Sequence, residues 1–185
     1  MIWFTALILL TGAERVWELV LSTRNARWAF GRGGREFGQR HYPFMVVLHT
    51  GLLLACLAEV YFGGRPFLPW LGWPMLAVAL ACQGLRYWCI AVLGRQWNSR
   101  VIVVPGLGRV TRGPYRFLPH PNYLVVIVEG IALPLVHTAW VTALAFAVLN
   151  AILLFGFRIP AEERALAVLD PVEADRAGAN QAGDA

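Results

Sequence analysis

Residues 123–157 have the sequence YLVVIVEGIALPLVHTAWVTALAFAVLNAILLFGF, an almost unbroken apolar run. A helix needs about 20 such residues to cross the hydrocarbon core of a bilayer, so this run is too long for one crossing. Pro134 and the polar step from His137 to Thr138 divide it. We therefore predict two membrane-spanning helices, near residues 123–136 and 139–157, that form a tight antiparallel hairpin.

Three further apolar segments lie upstream, near residues 2–21, 43–62 and 74–93. The chain is 58% hydrophobic and only 15% charged, with a mean hydropathy of +0.56. Globular domains carry about 25% charged residues, so these values argue against a cytosolic enzyme, a disordered chain and a nucleic-acid-binding protein. We predict an all-α polytopic membrane bundle of about five helices. It forms a single domain over residues 1–169, and the polar tail at 170–185 is expected to be disordered.

The placement of arginine predicts the orientation of the bundle. The formal net charge is +5, and all 16 basic residues are arginines. Most of them lie in the loops after the first and third apolar segments, whereas the other turns hold only Arg65. Because positively charged loops stay in the cytoplasm, five spans place the amino terminus outside and the carboxyl terminus inside. The first segment has no basic leader and no small-residue cleavage site, so we expect it to be retained as a helix.

The three cysteines, Cys56, Cys82 and Cys89, all lie within apolar segments. An odd and scattered set fits neither a disulfide framework nor a zinc site. We therefore expect them to pack as small hydrophobic residues, and we predict no metal site.

Several polar side chains lie inside the predicted spans, where they are costly and therefore informative. Glu129 lies about two turns into the fourth span, roughly 9 Å from its start, and could border a pocket. Arg86 could pair with Glu129 or with Glu59. We expect the other polar residues in the spans to form helix-to-helix hydrogen bonds or ion pairs that hold the bundle together; they are Glu14, Arg15, Glu18, His49 and Asn150.

A polar cluster precedes the fourth span, in the stretch RVTRGPYRFLPHPNY that ends at Tyr123. His120 lies between two prolines, which favour an extended conformation before a helix that starts at Pro121. The first turn of a helix offers unpaired N–H groups and a partial positive charge, which together bind a carboxylate or a phosphate. The alternative is a loop that only caps its helix and anchors Tyr115 and Arg116 among lipid headgroups.

A second polar cluster, RIPAEERAL, follows the fifth span and begins at Arg158. The two ends of a helical hairpin share one membrane face, so the polar residues of this cluster should lie near His120 and Tyr123. These residues are Arg158, Glu162 and Glu163. The alternative is an ordinary surface ion pair between Arg158 and Glu162, which are four positions apart.

The loop between the third and fourth spans contains an expected extended segment, Val101–Val104, and a turn at Pro105 and Gly106. An extended backbone at Val104 and Gly106, beside the start of a helix, could form hydrogen bonds with the edge of an adenine. The glycines at 106 and 108 are not a dinucleotide-binding fingerprint, because no βαβ unit surrounds them.

Together the two polar clusters resemble the isoprenylcysteine carboxyl methyltransferase family of integral-membrane enzymes, over roughly residues 80–166. The family pattern is a glycine–x–tyrosine–arginine run, an arginine–histidine–proline–x–tyrosine segment and a distal arginine with paired glutamates. Pro119 stands where the family has the arginine before the histidine. The matching residues are Gly113, Tyr115, Arg116, His120, Pro121, Tyr123, Arg158, Glu162 and Glu163.

The resemblance implies S-adenosylmethionine (SAM) as methyl donor, with S-adenosylhomocysteine as product, bound on the cytoplasmic side. It also implies a lipophilic acceptor that arrives from the bilayer, either a prenylcysteine-like carboxylate or an alkylated pyrone, phenol or quinone. The pattern is similar to that of bacterial members, which implies a bacterial plasma membrane. We expect catalytic roles for Arg158, Glu162 and Glu129. We expect cofactor-binding roles for Tyr115, His120, Pro121, Tyr123, Glu162, Glu163, Val104 and Gly106. Membrane lipids are the expected surroundings, no nucleic acid is expected to bind, and the oligomeric state is not predicted.

Three other functions stay open at this point. One is a methyltransferase of similar architecture that acts on phospholipid amines or small thiols. Another is an NADPH-dependent membrane reductase of the sterol type, which also has a histidine–proline–asparagine–tyrosine segment. The third is a helical scaffold without catalytic activity.

Overall fold

The structure, a computed structural model, describes residues 2–108, 110–118 and 120–167. The predicted tail at 170–185 lies outside these residues. The helices are α1 (Ile2–Phe30), α2 (Tyr42–Phe62), α3 (Pro69–Leu93), α4 (Pro121–Leu135), α5 (Trp140–Leu153) and α6 (Ile159–Ala167). Two short strands are β1 (Arg35–Phe37) and β2 (Val101–Val103). Short 3-10 turns occupy Gln39–His41, Gly94–Gln96 and Gly113–Arg116, and a π-helical turn at Leu154–Arg158 joins α5 to α6.

Three helical stretches are long and apolar enough to cross a membrane, namely Gln39–Phe62, Pro69–Gln96 and Trp140–Glu162. Helix α4 is apolar but shorter, and α1 is long but carries three charged residues near its middle. The predicted helical membrane bundle is therefore confirmed. The number of crossings, five, stays a prediction.

The five long helices alternate in direction along the bundle. At one end, the Phe4 ring near the start of α1 lies 5.1 Å from the His137 ring, which is in the turn between α4 and α5. At the other end, Asn25 near the end of α1 donates a hydrogen bond of 2.7 Å to the carbonyl of Trp97, just after α3. Such contacts require α1, α3 and α5 to run one way and α2 and α4 the other.

The end of the bundle that holds the two strands is called the ribbon end below, and the opposite end is called the turn end. Strands β1 and β2 pair antiparallel, with Arg35 opposite Val103 and Phe37 opposite Val101. The extended segment predicted near Val101 is thus confirmed, whereas β1 was not predicted. The ribbon ties the loop after α1 to the loop after α3.

Two helices are longer than the apolar segments that predicted them. Helix α1 continues to Phe30 because residues with small or amide side chains near its end, Asn25 and Ala29 among them, are buried against the ribbon end. Helix α3 begins at Pro69 instead of Pro74, and Pro74 lies inside it. Proline suits a first helical turn, and Pro69 occupies that position here.

Helix α4 lies between α3 and α5 and forms the centre of the bundle. Gly130 allows the close contact with α5, because a Cβ atom at that position would lie 2.0 Å from a ring carbon of Phe146. The neighbouring residues Val125, Val126 and Leu133 are buried in the apolar core. This packing fixes α4 relative to both neighbours, and it thereby fixes the residues at the start of α4.

Helix α5 obtains its N-terminal cap from another helix. The residue before it is Ala139, which has no side-chain acceptor, and Glu59 at the end of α2 takes that role. The Glu59 carboxylate accepts hydrogen bonds from the backbone N–H groups of Val141 at 3.2 Å and Thr142 at 2.7 Å. It also pairs with Arg65 at 2.9 Å.

Replacing Glu59 with alanine should therefore lower the free energy of unfolding by about 1–2 kcal/mol, the usual cost of losing an N-cap. The measurement is a thermal melt in detergent, followed by circular dichroism. Glu59→Gln keeps an oxygen acceptor but loses the charge, so its melting temperature should lie between those of the wild type and the alanine variant. An unchanged melting temperature for Glu59→Ala would show that this cap does not stabilise the fold.

Candidate active site

Four polar side chains meet at the ribbon end, where α4 and α6 begin. The Tyr123 hydroxyl donates a hydrogen bond to the Glu162 carboxylate and accepts one from Arg158 Nε at 3.2 Å. His120 Nδ1 lies 3.3 Å from the same carboxylate. The His120 ring stacks on the Tyr123 ring, with centroids 5.2 Å apart. The two polar clusters of the sequence therefore come together as the predicted hairpin requires.

Local sequence explains why the His120 side chain is available. Pro121 is the first residue of α4 and is buried, and His120 is its N-cap residue, as predicted. The His120 side chain makes no capping hydrogen bond to the helix backbone. The imidazole is therefore free to face Glu162. Pro121 has no N–H, and the N–H groups of Tyr123 and Leu124 donate to the His120 carbonyl. Among these residues the Asn122 N–H is therefore left for another acceptor.

The π-helical turn at Leu154–Arg158 positions Arg158. Turns of this kind interrupt the α-helical spacing and are frequent at functional sites. Arg158 ends the turn with only 7% of its surface exposed, and its Nε atom points to Tyr123. The sequence predicted that Arg158 lies near Tyr123, but it did not predict the π-helical turn that orients the Arg158 side chain.

A first cavity, which we call the loop cleft, opens beside these residues with a volume of about 220 Å³. Its walls are β2, the loop that follows it, the end of α1 and the start of α4. The predicted site residues that line the loop cleft are Val104, Tyr115, His120, Pro121, Tyr123, Arg158 and Glu162. Further lining residues that the sequence did not single out include Trp28, Arg95, Trp97, Asn98 and Arg100.

Gly106 does not line the loop cleft and is exposed in the turn after β2. Its φ of 82° lies in the left-handed region, which favours glycine. Gly106 therefore shapes the turn and lies outside the wall of the cleft. Val104, two residues earlier, is buried and does line the cleft.

Tyr115 lies in the 3-10 turn at Gly113–Arg116, on the wall of the loop cleft. Burial raises the pKa of the Tyr115 phenol, and the neighbouring Cys89 thiol raises it further. The phenol is therefore neutral at physiological pH and can donate a hydrogen bond. Gly113 starts the turn with a φ of 61°, and a Cβ atom there would lie 2.7 Å from the Val92 side chain.

A second and larger cavity, which we call the α1–α2 cavity, has a volume of about 520 Å³. Helices α1 and α2 supply most of its walls, largely through apolar side chains such as Ile8, Leu53 and Leu57. At the ribbon end it reaches Tyr42, Asn122 and the Tyr123–Arg158 pair. An aliphatic chain fits such a wall, because burying apolar surface is favourable.

The two cavities share part of their walls. Trp97, Asn122, Tyr123 and Arg158 line both. A polar molecule in the loop cleft and an apolar molecule in the α1–α2 cavity would therefore meet at this shared wall. Asn122 follows Pro121 in the first turn of α4, so its position was readable from the sequence, but its place between two cavities was not.

Glu129 lies apart from this group, about 9 Å further along α4 by helix rise. It forms a salt bridge of 2.8 Å with Arg15 and another with Arg86, and Gln83 donates a hydrogen bond to it at 3.0 Å. Of the two partners expected for Arg86, the structure therefore selects Glu129. Glu129 thus lies in a buried ion-pair network between helices, and its catalytic role stays a prediction.

Some predicted residues lie outside what the structure describes. Pro119 and Arg109 are among them, as is the side chain of Glu163, whose backbone is part of α6. In the described part of the chain, no group of histidine, cysteine, aspartate or glutamate side chains could hold a metal ion.

Comparison with known protein families identifies one family. The isoprenylcysteine carboxyl methyltransferase family matches residues 75–168, which include both clusters that form the loop cleft next to α4 and α6. The chain is also 40% identical to the Bacillus subtilis protein named "Uncharacterized protein YpbQ", over 90% of this chain and 96% of that protein. No solved structure matches. The chain therefore belongs to the isoprenylcysteine carboxyl methyltransferase family of membrane methyltransferases.

Proposed function

We propose that the protein is a SAM-dependent O-methyltransferase whose acceptor is a lipid with an acidic oxygen. The acceptor would be a prenylcysteine-like carboxylate or an alkylated pyrone, phenol or quinone. The observation that carries the proposal is the shared wall of the two cavities, formed by Trp97, Asn122, Tyr123 and Arg158. A polar donor and an apolar acceptor can approach each other there from opposite sides.

The loop cleft supplies groups that suit each part of SAM. The backbone N–H of Asn122 at the start of α4, together with His120, would bind the methionine carboxylate. Glu162, and Glu163 beside it in the sequence, would bind the ammonium group or the ribose hydroxyls. Tyr115 and Tyr123 would pack against the nucleoside, and the backbone near Val104 would meet the adenine edge.

The α1–α2 cavity would hold the aliphatic part of the acceptor, with its reactive oxygen at the shared wall. Arg158 is the cation at that wall, and the Tyr123 hydroxyl fixes its Nε atom. An anionic oxygen is favoured next to this guanidinium, whereas a cationic amine is not. This charge preference is the reason for proposing an oxygen acceptor over a phospholipid amine.

The reaction is an in-line displacement at the methyl carbon of the sulfonium. The acceptor oxygen supplies an electron pair to form the new C–O bond, the C–S bond breaks, and the sulfur leaves as the thioether of S-adenosylhomocysteine. A carboxylate acceptor has no proton to lose. A phenol or enol would pass its proton to Glu162 or His120. The protein contributes mainly by aligning the two reactants and excluding water.

The orientation of the bundle agrees with a cytoplasmic donor. Both arginine-rich loops, the one after α1 and the one after α3, lie at the ribbon end beside the loop cleft. Positively charged loops stay in the cytoplasm, where SAM is made available to enzymes. We therefore propose that the ribbon end faces the cytoplasm of a bacterial plasma membrane, with the amino terminus outside.

Isothermal titration of the purified protein in lipid nanodiscs, with SAM and with NADPH, tests the proposed donor. We expect saturable binding of SAM and of S-adenosylhomocysteine, and no binding of NADPH. Binding of NADPH alone would favour a membrane reductase instead. A folded protein that binds neither molecule would favour the non-catalytic scaffold.

A further inference from the structure

The α1–α2 cavity is not uniformly apolar along its length. Its mouth at the ribbon end is polar, and apolar side chains follow, Val126 and Leu154 among them. A second set of polar side chains then lines its middle, after which the wall is apolar again. Thr50 belongs to this set, and its ionisable members, which we call the inner polar level, are Arg15, Glu18, His49 and Arg86.

The spacing between the mouth and the inner polar level follows from α4. Arg15 Nη2 lies 2.8 Å from Glu129 Oε1, and Arg86 also pairs with Glu129. Glu129 is six residues after Tyr123, which corresponds to about 9 Å along a helix. The inner polar level is therefore roughly 9 Å deeper in the bundle than the Tyr123 hydroxyl.

His49 has a hydrogen-bonding atom that the protein does not use. Its Nδ1 lies 2.8 Å from the carbonyl of Met45, which can only accept, so Nδ1 carries a hydrogen. In the neutral ring Nε2 is then an acceptor, and the one hydrogen bond of this ring among the described residues is the one at Nδ1. The Phe146 ring packs edge-on against His49, with centroids 5.4 Å apart, and holds it against the cavity wall.

Arg86 lies at the same level and is almost fully buried. Only 5% of its surface is exposed, and its Nε atom makes no hydrogen bond among the described residues, although Glu18 Oε1 lies 3.5 Å away. A purely aliphatic chain in the cavity would leave the His49 Nε2 acceptor against methylenes, which is unfavourable for a polar group. A ligand that also hydrogen-bonds at this level would suit this acceptor better.

The charge of the surrounding cluster selects the kind of group. Two carboxylates, those of Glu18 and Glu129, pair with the guanidinium groups of Arg15 and Arg86. A third carboxylate, that of Glu14, lies beside them and accepts a hydrogen bond from Gln83. The excess of negative charge disfavours an anion at this level. A neutral hydroxyl can donate to His49 Nε2 and can also accept a hydrogen bond from a guanidinium.

We propose that the acceptor lipid carries a hydroxyl group on its chain, roughly 9 Å from the methylated atom, and that His49 binds this hydroxyl at the inner polar level. The inference rests on the proposed function for the assignment of the reactive end to Arg158. It adds one requirement to that function: the acceptor is a lipid with a hydroxyl group in the middle of its chain.

Stearate and two hydroxylated derivatives, 10-hydroxystearate and 2-hydroxystearate, serve as probes. Each probe has a carboxylate that can bind at Arg158. Only 10-hydroxystearate has a hydroxyl group far enough along its chain to reach the inner polar level. Binding to the protein in nanodiscs is measured by titration, without SAM and without turnover. We expect 10-hydroxystearate to bind about three- to tenfold more tightly than stearate, the gain from one hydrogen bond. We expect 2-hydroxystearate to bind like stearate.

Two variants show whether His49 causes the difference. His49→Phe keeps a ring against Phe146 but removes Nε2, so the advantage of 10-hydroxystearate should disappear. His49→Gln keeps a hydrogen-bonding group and should retain part of the advantage. Equal affinities of the wild type for all three probes, no saturable binding of any of them, or an advantage that persists in His49→Phe would overturn the inference. The SAM titration is independent of these probes, so a failure here is distinguishable from a failure of the proposed function.

Discussion

Replacing Glu162 with glutamine is expected to weaken SAM binding by roughly ten- to a hundredfold and to reduce methyl transfer at least as much. Hydrogen bonds to charged groups contribute about 1.5–3 kcal/mol, and the substitution removes the charge that such bonds would use. Glu162 is well placed for this role, because it accepts a hydrogen bond from Tyr123 and lies 3.3 Å from His120 Nδ1. The measurement is a titration with SAM and a rate assay with saturating acceptor.

A matched control removes the same charge from the same end of the bundle. Glu36 in β1 pairs with Arg100 at 3.6 Å and lines neither cavity. Glu36→Gln should change SAM affinity by less than about twofold, since partly exposed ion pairs contribute little. SAM affinities for Glu162→Gln and Glu36→Gln that both equal the wild-type value would refute the assignment of Glu162 to the donor site.

Replacing Glu129 with leucine is expected to lower the free energy of unfolding by about 3–5 kcal/mol, the cost of leaving buried charges without their partner. Arg15 and Arg86 both pair with this carboxylate, and Arg86 is almost fully buried. Thermal melting in detergent gives the change in stability. A variant that melts within a few degrees of the wild type would contradict the buried-network interpretation.

A compensating variant separates charge from packing. Combining Glu129→Leu with Arg86→Met removes one charge of each sign, so the double variant should be more stable than Glu129→Leu alone. Glu129→Gln keeps the shape and part of the hydrogen bonding. If Glu129 acts only in the network, Glu129→Gln should retain its turnover per folded molecule, whereas a catalytic role would abolish turnover without unfolding the protein.

The sequence predicted the helical hairpin and the polar residues at its open end because the long apolar run and the prolines around His120 are local and strong signals. One apolar run too long for a single crossing forces a reversal near Pro134, and the reversal brings the two flanking polar clusters to one end. His120 between prolines marks the start of α4 in the same direct way. The contacts of Tyr123 with Arg158 and Glu162 agree with that reasoning.

Long-range pairings could not be predicted in this way. Arg15 and Glu129 are 114 positions apart, and their contact depends on how α1 packs beside α3 and α4. Strand β1 has three residues, and its structure comes from pairing with β2 instead of from its own composition. The inner polar level depends on the same packing, so the sequence showed only isolated polar residues on separate helices.

The motifs from the family resemblance lie mostly at the loop cleft and not at the α1–α2 cavity. Most of the matching residues line the loop cleft, whereas the α1–α2 cavity is built mainly from helices that precede the matched region. The α1–α2 cavity depends on helix packing in the amino-terminal half, which a sequence pattern does not reveal. The acceptor must therefore be identified by experiment.

The most direct test follows the methyl group itself. The purified protein in nanodiscs is incubated with SAM labelled in its methyl group and with a lipid extract of the source cells, and the lipids are then separated and analysed by mass spectrometry. The proposed function predicts that label enters a lipid that gains one methyl group, at a rate that falls sharply in Glu162→Gln and not in Glu36→Gln. Label that stays in SAM, with the protein folded and every lipid fraction unchanged, would contradict it.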